Sequence, residues 1–107
     1  FFIQIFGDNA GTGLTSEGHY STFFGYQAGF SNTTAERILS FGYKAGYSNL
    51  TTGLNVMIGS GAGENHTQWS STYIGYQAGN SNTTSEGNTY IGYFAGSDGT
   101  MDSDNSK

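Results

Sequence analysis

The sequence predicts an all-β fold, a β-solenoid of six stacked coils, and three observations predict it. The motif G-x-x-A-G returns six times, its steps are nearly equal, and a large apolar residue stands directly before every copy. The copies run Gly7 to Gly11, Gly25 to Gly29, Gly42 to Gly46, Gly59 to Gly63, Gly75 to Gly79 and Gly92 to Gly96. Their first glycines stand 18, 17, 17, 16 and 17 residues apart, so the period is near 17. Successive first glycines keep that step to within one position either way, a drift that suits a loop at one corner of each coil. Stacked copies of one short unit bury a continuous core that no single unit buries alone.

Each coil opens on an extended segment. The residues before the motif are Phe6, Phe24, Phe41, Ile58, Ile74 and Ile91, and this uninterrupted row is the predicted core ladder. Gln4, Thr22, Leu39, Val56, Thr72 and Thr89 stand two places earlier and share its strand face, because strand side chains alternate. The motif then forms a corner: its glycines supply positive φ or close backbone approach, and Ala10, Ala28, Ala45, Ala62, Ala78 and Ala95 mark a tight site. A second, more polar segment follows (FSNTT from Phe30, YSNLT from Tyr47, ENHT from Glu64, NSNTT from Asn80) and reads as a second short strand. A variable link (AERI, TGLN, QWSS, SEGN) closes the coil. Two strands and two turns make one coil, and six coils at roughly 4.8 Å spacing make a rod of about 29 Å.

Composition narrows the function. Ile, Leu, Val and Phe hold only 19 of 107 positions, so regularity rather than bulk has to build the core. Three basic residues, Arg37, Lys44 and Lys107, stand against eight acidic ones, which leaves no cationic surface for nucleic acid. No apolar run approaches the roughly 20 residues of a membrane span. Cysteine is absent, so no disulfide framework is available, and Phe1 in place of Met predicts a processed chain or a fragment of a longer repeat protein. The expected organisation is one repeat domain over residues 1–100 with a polar tail at 101–107. The opening FFIQIF is an apolar strand with no coil before it, so Phe1, Phe2, Ile3 and Ile5 are the predicted subunit contact.

The strings STYIGYQAGNSNTTSEGNTYIGYFAG and TFFGYQAGFSN resemble the head repeats of trimeric autotransporter adhesins and related Gly-rich repeats of phage tail-fibre and surface proteins. The resemblance covers nearly the whole chain. It implies a left-handed β-roll, often trimeric, in which the residue before the glycine and the one two places earlier point inward. It also implies an extracellular or cell-surface setting.

Four N-x-S/T sequons, at Asn32, Asn49, Asn65 and Asn82, recur with nearly the coil spacing. Stacked in register, they would line one edge as glycan acceptors, or as structural corner residues whose amides bond along the ladder. Tyr26, Tyr43, Tyr76 and Tyr93 follow the first glycine and form a predicted aromatic ladder, interrupted by Asp8 and Ser60. Thr33, Thr34, Thr51, Thr52, Thr67, Thr83 and Thr84 suggest a threonine face of the kind that binds ice. Catalysis finds little support: His19 and His66 have no metal-ligand spacing, Gly59 to Gly63 lacks the Lys of a phosphate loop, and Asp98, Asp102 and Asp104 read as a solvated tail. The expected function is therefore a non-enzymatic structural subunit of an extracellular fibre or filament, without cofactor or metal, whose partners are copies of itself and covalent glycans. The alternatives are a receptor- or carbohydrate-binding head module of an adhesin or tail fibre, and an ice-binding solenoid.

Overall fold

A computed structural model describes residues 3–15, 20–34, 36–49 and 52–97. They contain six short strands, β1 (Ile3–Phe6), β2 (Ser21–Phe24), β3 (Leu39–Phe41), β4 (Val56–Ile58), β5 (Thr72–Ile74) and β6 (Thr89–Ile91), and no helix. The strands form one parallel sheet in chain order, each bonded only to its sequence neighbours. Equivalent positions of successive copies lie opposite one another: Thr22 faces Leu39, Leu39 faces Val56, Val56 faces Thr72, and Thr72 faces Thr89. Parallel neighbours need a long return connection. Here the rest of each repeat, wound once around, supplies it, and the fold is a β-solenoid with a period near 17 residues. The principal dimensions are 34, 21 and 16 Å.

Each coil holds one strand rather than the expected two. After the strand, backbone N–H groups alternate between two kinds of partner. Those of Ala28, Phe30 and Asn32 close turns within the coil, onto Gly25, Gln27 and Gly29 carbonyls. Those of Gln27, Gly29 and Ser31 donate to Asp8, Ala45 and Tyr47 of adjacent coils at 2.9–3.0 Å. Positive φ at Gln27 (56°) and Gly29 (59°) produces this alternation, which satisfies the backbone without a second ladder strand.

The predicted core ladder is turned the wrong way. Phe6, Phe24, Phe41 and Ile91 are exposed, Phe6 at 68% and Ile91 at 62%, while Ile58 and Ile74 are half-buried. The inward residues are Phe23, Ser40, Met57, Tyr73 and Tyr90, one place earlier in each strand, joined by the buried alanines and Ile38. A strand alternates with period two, so a phase error of one residue exchanges its faces completely. Space decides the phase. The second glycines press against the inward side chains: a Cβ at Gly29 would overlap the Phe23 ring, and one at Gly79 would lie 2.6 Å from Tyr73. The interior thus has room for a large inward side chain, taken by Phe23, Met57, Tyr73 and Tyr90, with Ser40 the small residue of the row.

The first glycines set the coil spacing. Gly42 has φ +137°, and a Cβ there would lie 2.7 Å from the Gly59 carbonyl. Only a residue without Cβ permits this approach of backbone to backbone.

Candidate functional site: an apolar ladder outside and a polar column inside

The outward row of the sheet is the most distinctive surface of the molecule. Phe6, Phe24 and Phe41 stack face to face, with ring centroids 4.8 and 4.7 Å apart and planes within 9° and 4°. In-register pairing continues the row as Ile58, Ile74 and Ile91. Beside it, past the corner glycine, Tyr26 stacks on Tyr43 at 5.6 Å and Tyr76 on Tyr93 at 5.5 Å, so the predicted tyrosine ladder forms as two exposed pairs. Phe94 packs edge-on against both Tyr76 and Tyr93. A third stack joins Phe30 to Tyr47 at 4.9 Å, and the Lys44 ammonium lies over the Tyr43 and Tyr47 rings at 5.5 and 5.4 Å. No acidic residue interrupts the Phe and Ile row.

Ile5 continues the inward row at the β1 end, yet it is 48% exposed. Ile3, beside it on β1, is half-buried. Phe1 and Phe2, the other two predicted contact residues, lie outside the described residues, as do His19, Thr51, Asp98, Asp102, Asp104 and the tail 101–107.

The sequons fall in two different columns, which corrects the expected glycan edge. Counted from the first glycine of each coil, Asn32, Asn49 and Asn82 occupy the same place, and all three are buried inside the solenoid. Asn65 comes one place earlier and is exposed, while His66 takes the inward place in that coil. The short step from Gly59 to Gly75 disguises the shift, because it keeps the sequon spacing regular while the register slips. A glycan cannot be carried on an amide enclosed by stacked coils, so Asn32, Asn49 and Asn82 are structural, and Asn65 alone of the four is an accessible acceptor.

The inward column builds a polar network in the later coils. The Tyr73 hydroxyl lies 3.1 Å from His66 Nδ1 and accepts a 2.7 Å hydrogen bond from Asn82 Nδ2. Asn82 also donates to the Ser85 carbonyl, and its Oδ1 accepts from the Ser85 N–H and hydroxyl. Asn88 Nδ2 donates to Ser85 Oγ at 2.9 Å. Burial holds the His66 imidazole neutral, lowering its pKa to about 4 against the opposing pull of the Asn82 and Gln68 backbone. Burial likewise raises that of Tyr73, partly offset by hydrogen bonds from neighbours including Ser71 and Asn82. Each threonine expected on one face goes to its own place: Thr33, Thr67 and Thr83 share one column, Thr34 and Thr84 another, and Thr52 a third. Among the described residues no three His, Cys, Asp or Glu side chains gather to hold a metal, and no helix is long and apolar enough to cross a membrane.

The class this geometry defines is a β-solenoid repeat protein with an exposed apolar sheet face. Comparison with protein-family models, with curated proteins and with solved structures finds no match.

Proposed function

We propose that the chain is a structural, non-catalytic subunit of an extracellular surface fibre, assembled from copies of itself. The observation that carries this reading is the outward Phe and Ile row, six residues long without an acidic or amide interruption. Large contiguous apolar surface on a soluble protein marks an association site. The occupant that fits best is a second copy of this chain. Rings repeating every 4.7 to 4.8 Å match the strand spacing of another such sheet, so that facing rows interdigitate residue by residue. Extracellular placement rests on the resemblance to adhesin and fibre repeats.

The test is the assembly state of the full chain. Light scattering coupled to size exclusion is expected to give a multiple of 11.4 kDa, and electron microscopy to show elongated particles. Phe24→Glu and Ile74→Glu, on the outer face, should reduce the mass to that of one chain while leaving the β circular dichroism unchanged. A wild-type chain that stays monomeric at about 100 µM would sink the proposal, since an interface of standard size holds well below that concentration.

A second reading, a carbohydrate-binding head module, is favoured by the exposed Tyr26, Tyr43, Tyr76 and Tyr93 rings and by Lys44 among them. Glycan-array binding abolished by Tyr43→Ala, with assembly intact, would select it.

A further inference from the structure

The outward face of the sheet changes composition at its middle. Strands β1, β2 and β3 present Phe6, Phe24 and Phe41, whereas β4, β5 and β6 present Ile58, Ile74 and Ile91. The second outward column, two places earlier in each strand, is ordered differently. Leu39 and Val56 are its apolar centre, Thr22 and Thr72 flank them, and Gln4 and Thr89 lie outermost. Neither column holds a charged residue. One column is thus divided into a large half and a small half, and the other is apolar in the middle and polar on both sides.

We infer that two copies of this chain pair face to face with their stacking axes antiparallel, about a two-fold axis that runs along the strands between β3 and β4. This rests on the outward row being a self-association face, and it specifies the geometry of that contact. Such an axis sets each Phe of one copy opposite an Ile of the other: Phe6 against Ile91, Phe24 against Ile74, and Phe41 against Ile58. Every rung of the joint then holds one ring and one aliphatic side chain, a constant thickness that two sheets roughly 10 Å apart fill evenly. With the axes parallel, each strand would meet its own copy. The Phe half would then face the Phe half and the Ile half the Ile half, leaving a wedge. The second column obeys the same symmetry, since Leu39 falls opposite Val56 beside the axis, Thr22 opposite Thr72, and Gln4 opposite Thr89. The result is an apolar centre with a polar rim, and the self-complementarity that an isologous contact requires. In the neighbouring Tyr row, the interruption at Ser60 falls opposite Tyr43, so a ring of the partner enters where the chain's own row lacks one. The three Phe and four Tyr rings of these rows are 41 to 76% exposed, and at roughly 200 Å² per ring they present about 700 Å². That is close to the roughly 800 Å² each partner contributes to an interface of standard size. The axis is located by the Leu39–Val56 and Phe41–Ile58 junctions, inside the stack. Because a two-fold contact closes on itself, the pair rather than the single chain is the unit from which a fibre is built.

Thiol cross-linking tests the pairing, and the chain has no Cys to confuse it. Thr22 and Thr72 lie three strands apart, roughly 14 Å within one chain, yet across the joint each faces the other's copy. The double variant T22C/T72C, treated with a bifunctional thiol reagent of about 8 Å reach, is expected to give a covalent dimer, since facing sheets bring these two places within that span. An equal mixture of Thr22→Cys and Thr72→Cys chains should link as mixed pairs. Each single variant alone, with unchanged β circular dichroism, should stay unlinked, because like positions are held roughly 14 Å apart. Light scattering of the unmodified chain should give an even multiple of 11.4 kDa. Linking of Thr22→Cys to itself, a mass of three chains, or an assembled double variant that does not link overturns the antiparallel pair and leaves self-association standing. A monomeric chain removes both.

Discussion

Among the described residues His66 is the imidazole enclosed by the coils, and its burial gives the fold a definite response to acid. In the fold its pKa is about 4, whereas the ordinary value is 6.5. The unfolded chain therefore takes up the proton first. Stability from this group is complete above pH 6.5, declines as the pH falls through the window, and is gone by about pH 4. The full decline amounts to about 3 kcal/mol. The groups facing the ring are the Tyr73 phenol and the Asn82 and Gln68 backbone, none of which supplies a carboxylate to compensate the new charge. Urea titrations at pH 7 and pH 4.5 are expected to show this loss. His66→Asn, which installs the residue found in that column at Asn32, Asn49 and Asn82, should make the difference between the two pH values smaller by a similar amount. An unchanged pH dependence in the variant would mean that other groups control acid sensitivity.

At the scale of the element, the corners carry the geometry. The one before each strand places Tyr20, Arg37, Leu54, Ser70 and Gly87 at φ between 58° and 73°. Only the last of these is a glycine, so four coils hold an L-residue in a conformation that costs it about 1 kcal/mol. Leu54→Gly should therefore raise stability by roughly that amount, and Gly87→Ala should lower it similarly, both read from denaturation midpoints. At the other corner, Gly42→Ala meets both an unfavourable φ and the Gly59 carbonyl, while Gly92 has a similar φ and, among the described residues, no atom closer than 4.0 Å. Gly42→Ala is expected to abolish folding or to cost more than about 3 kcal/mol, and Gly92→Ala only about 1 to 2 kcal/mol. Equal losses in these two variants would show that the close approach between coils does not matter.

The corners also show what can be read in the letters. Glycine announces itself, so the motif, its period and the stack of coils are all visible in the sequence. The left-handed residues Asn9, Gln27, Lys44 and Phe94 carry no such mark, and the alternating turns they create look like a second strand when only their polar and β-branched letters are considered. The strand phase is hidden for a related reason. Phe6, Phe24 and Phe41 look like a core because they are large and repeat, but rings stack equally well outside, and the interior row of Phe23, Ser40, Met57, Tyr73 and Tyr90 is irregular because it has to fit. The register of the sequons is legible: counted from Gly59 instead of from Asn49, Asn65 falls out of the column.

Across the whole molecule, the glycan question reduces to one site. If the chain is produced in a glycosylating host, intact mass should rise by a single glycan that maps to the peptide holding Asn65, with Asn32, Asn49 and Asn82 bare. Modification at any of those three in folded protein would contradict their burial. The outer apolar row makes a separate demand, since only a partner removes it from water, and the Phe24→Glu and Ile74→Glu variants above measure that demand directly.

Because every strand bonds only to the copies immediately before and after it, nothing in the architecture fixes how many copies there are. Duplicating or deleting one unit leaves all remaining junctions as they were and changes the height by a single step of about 4.8 Å. Such a molecule is a stack whose height can change one unit at a time without redesigning any part of the fold.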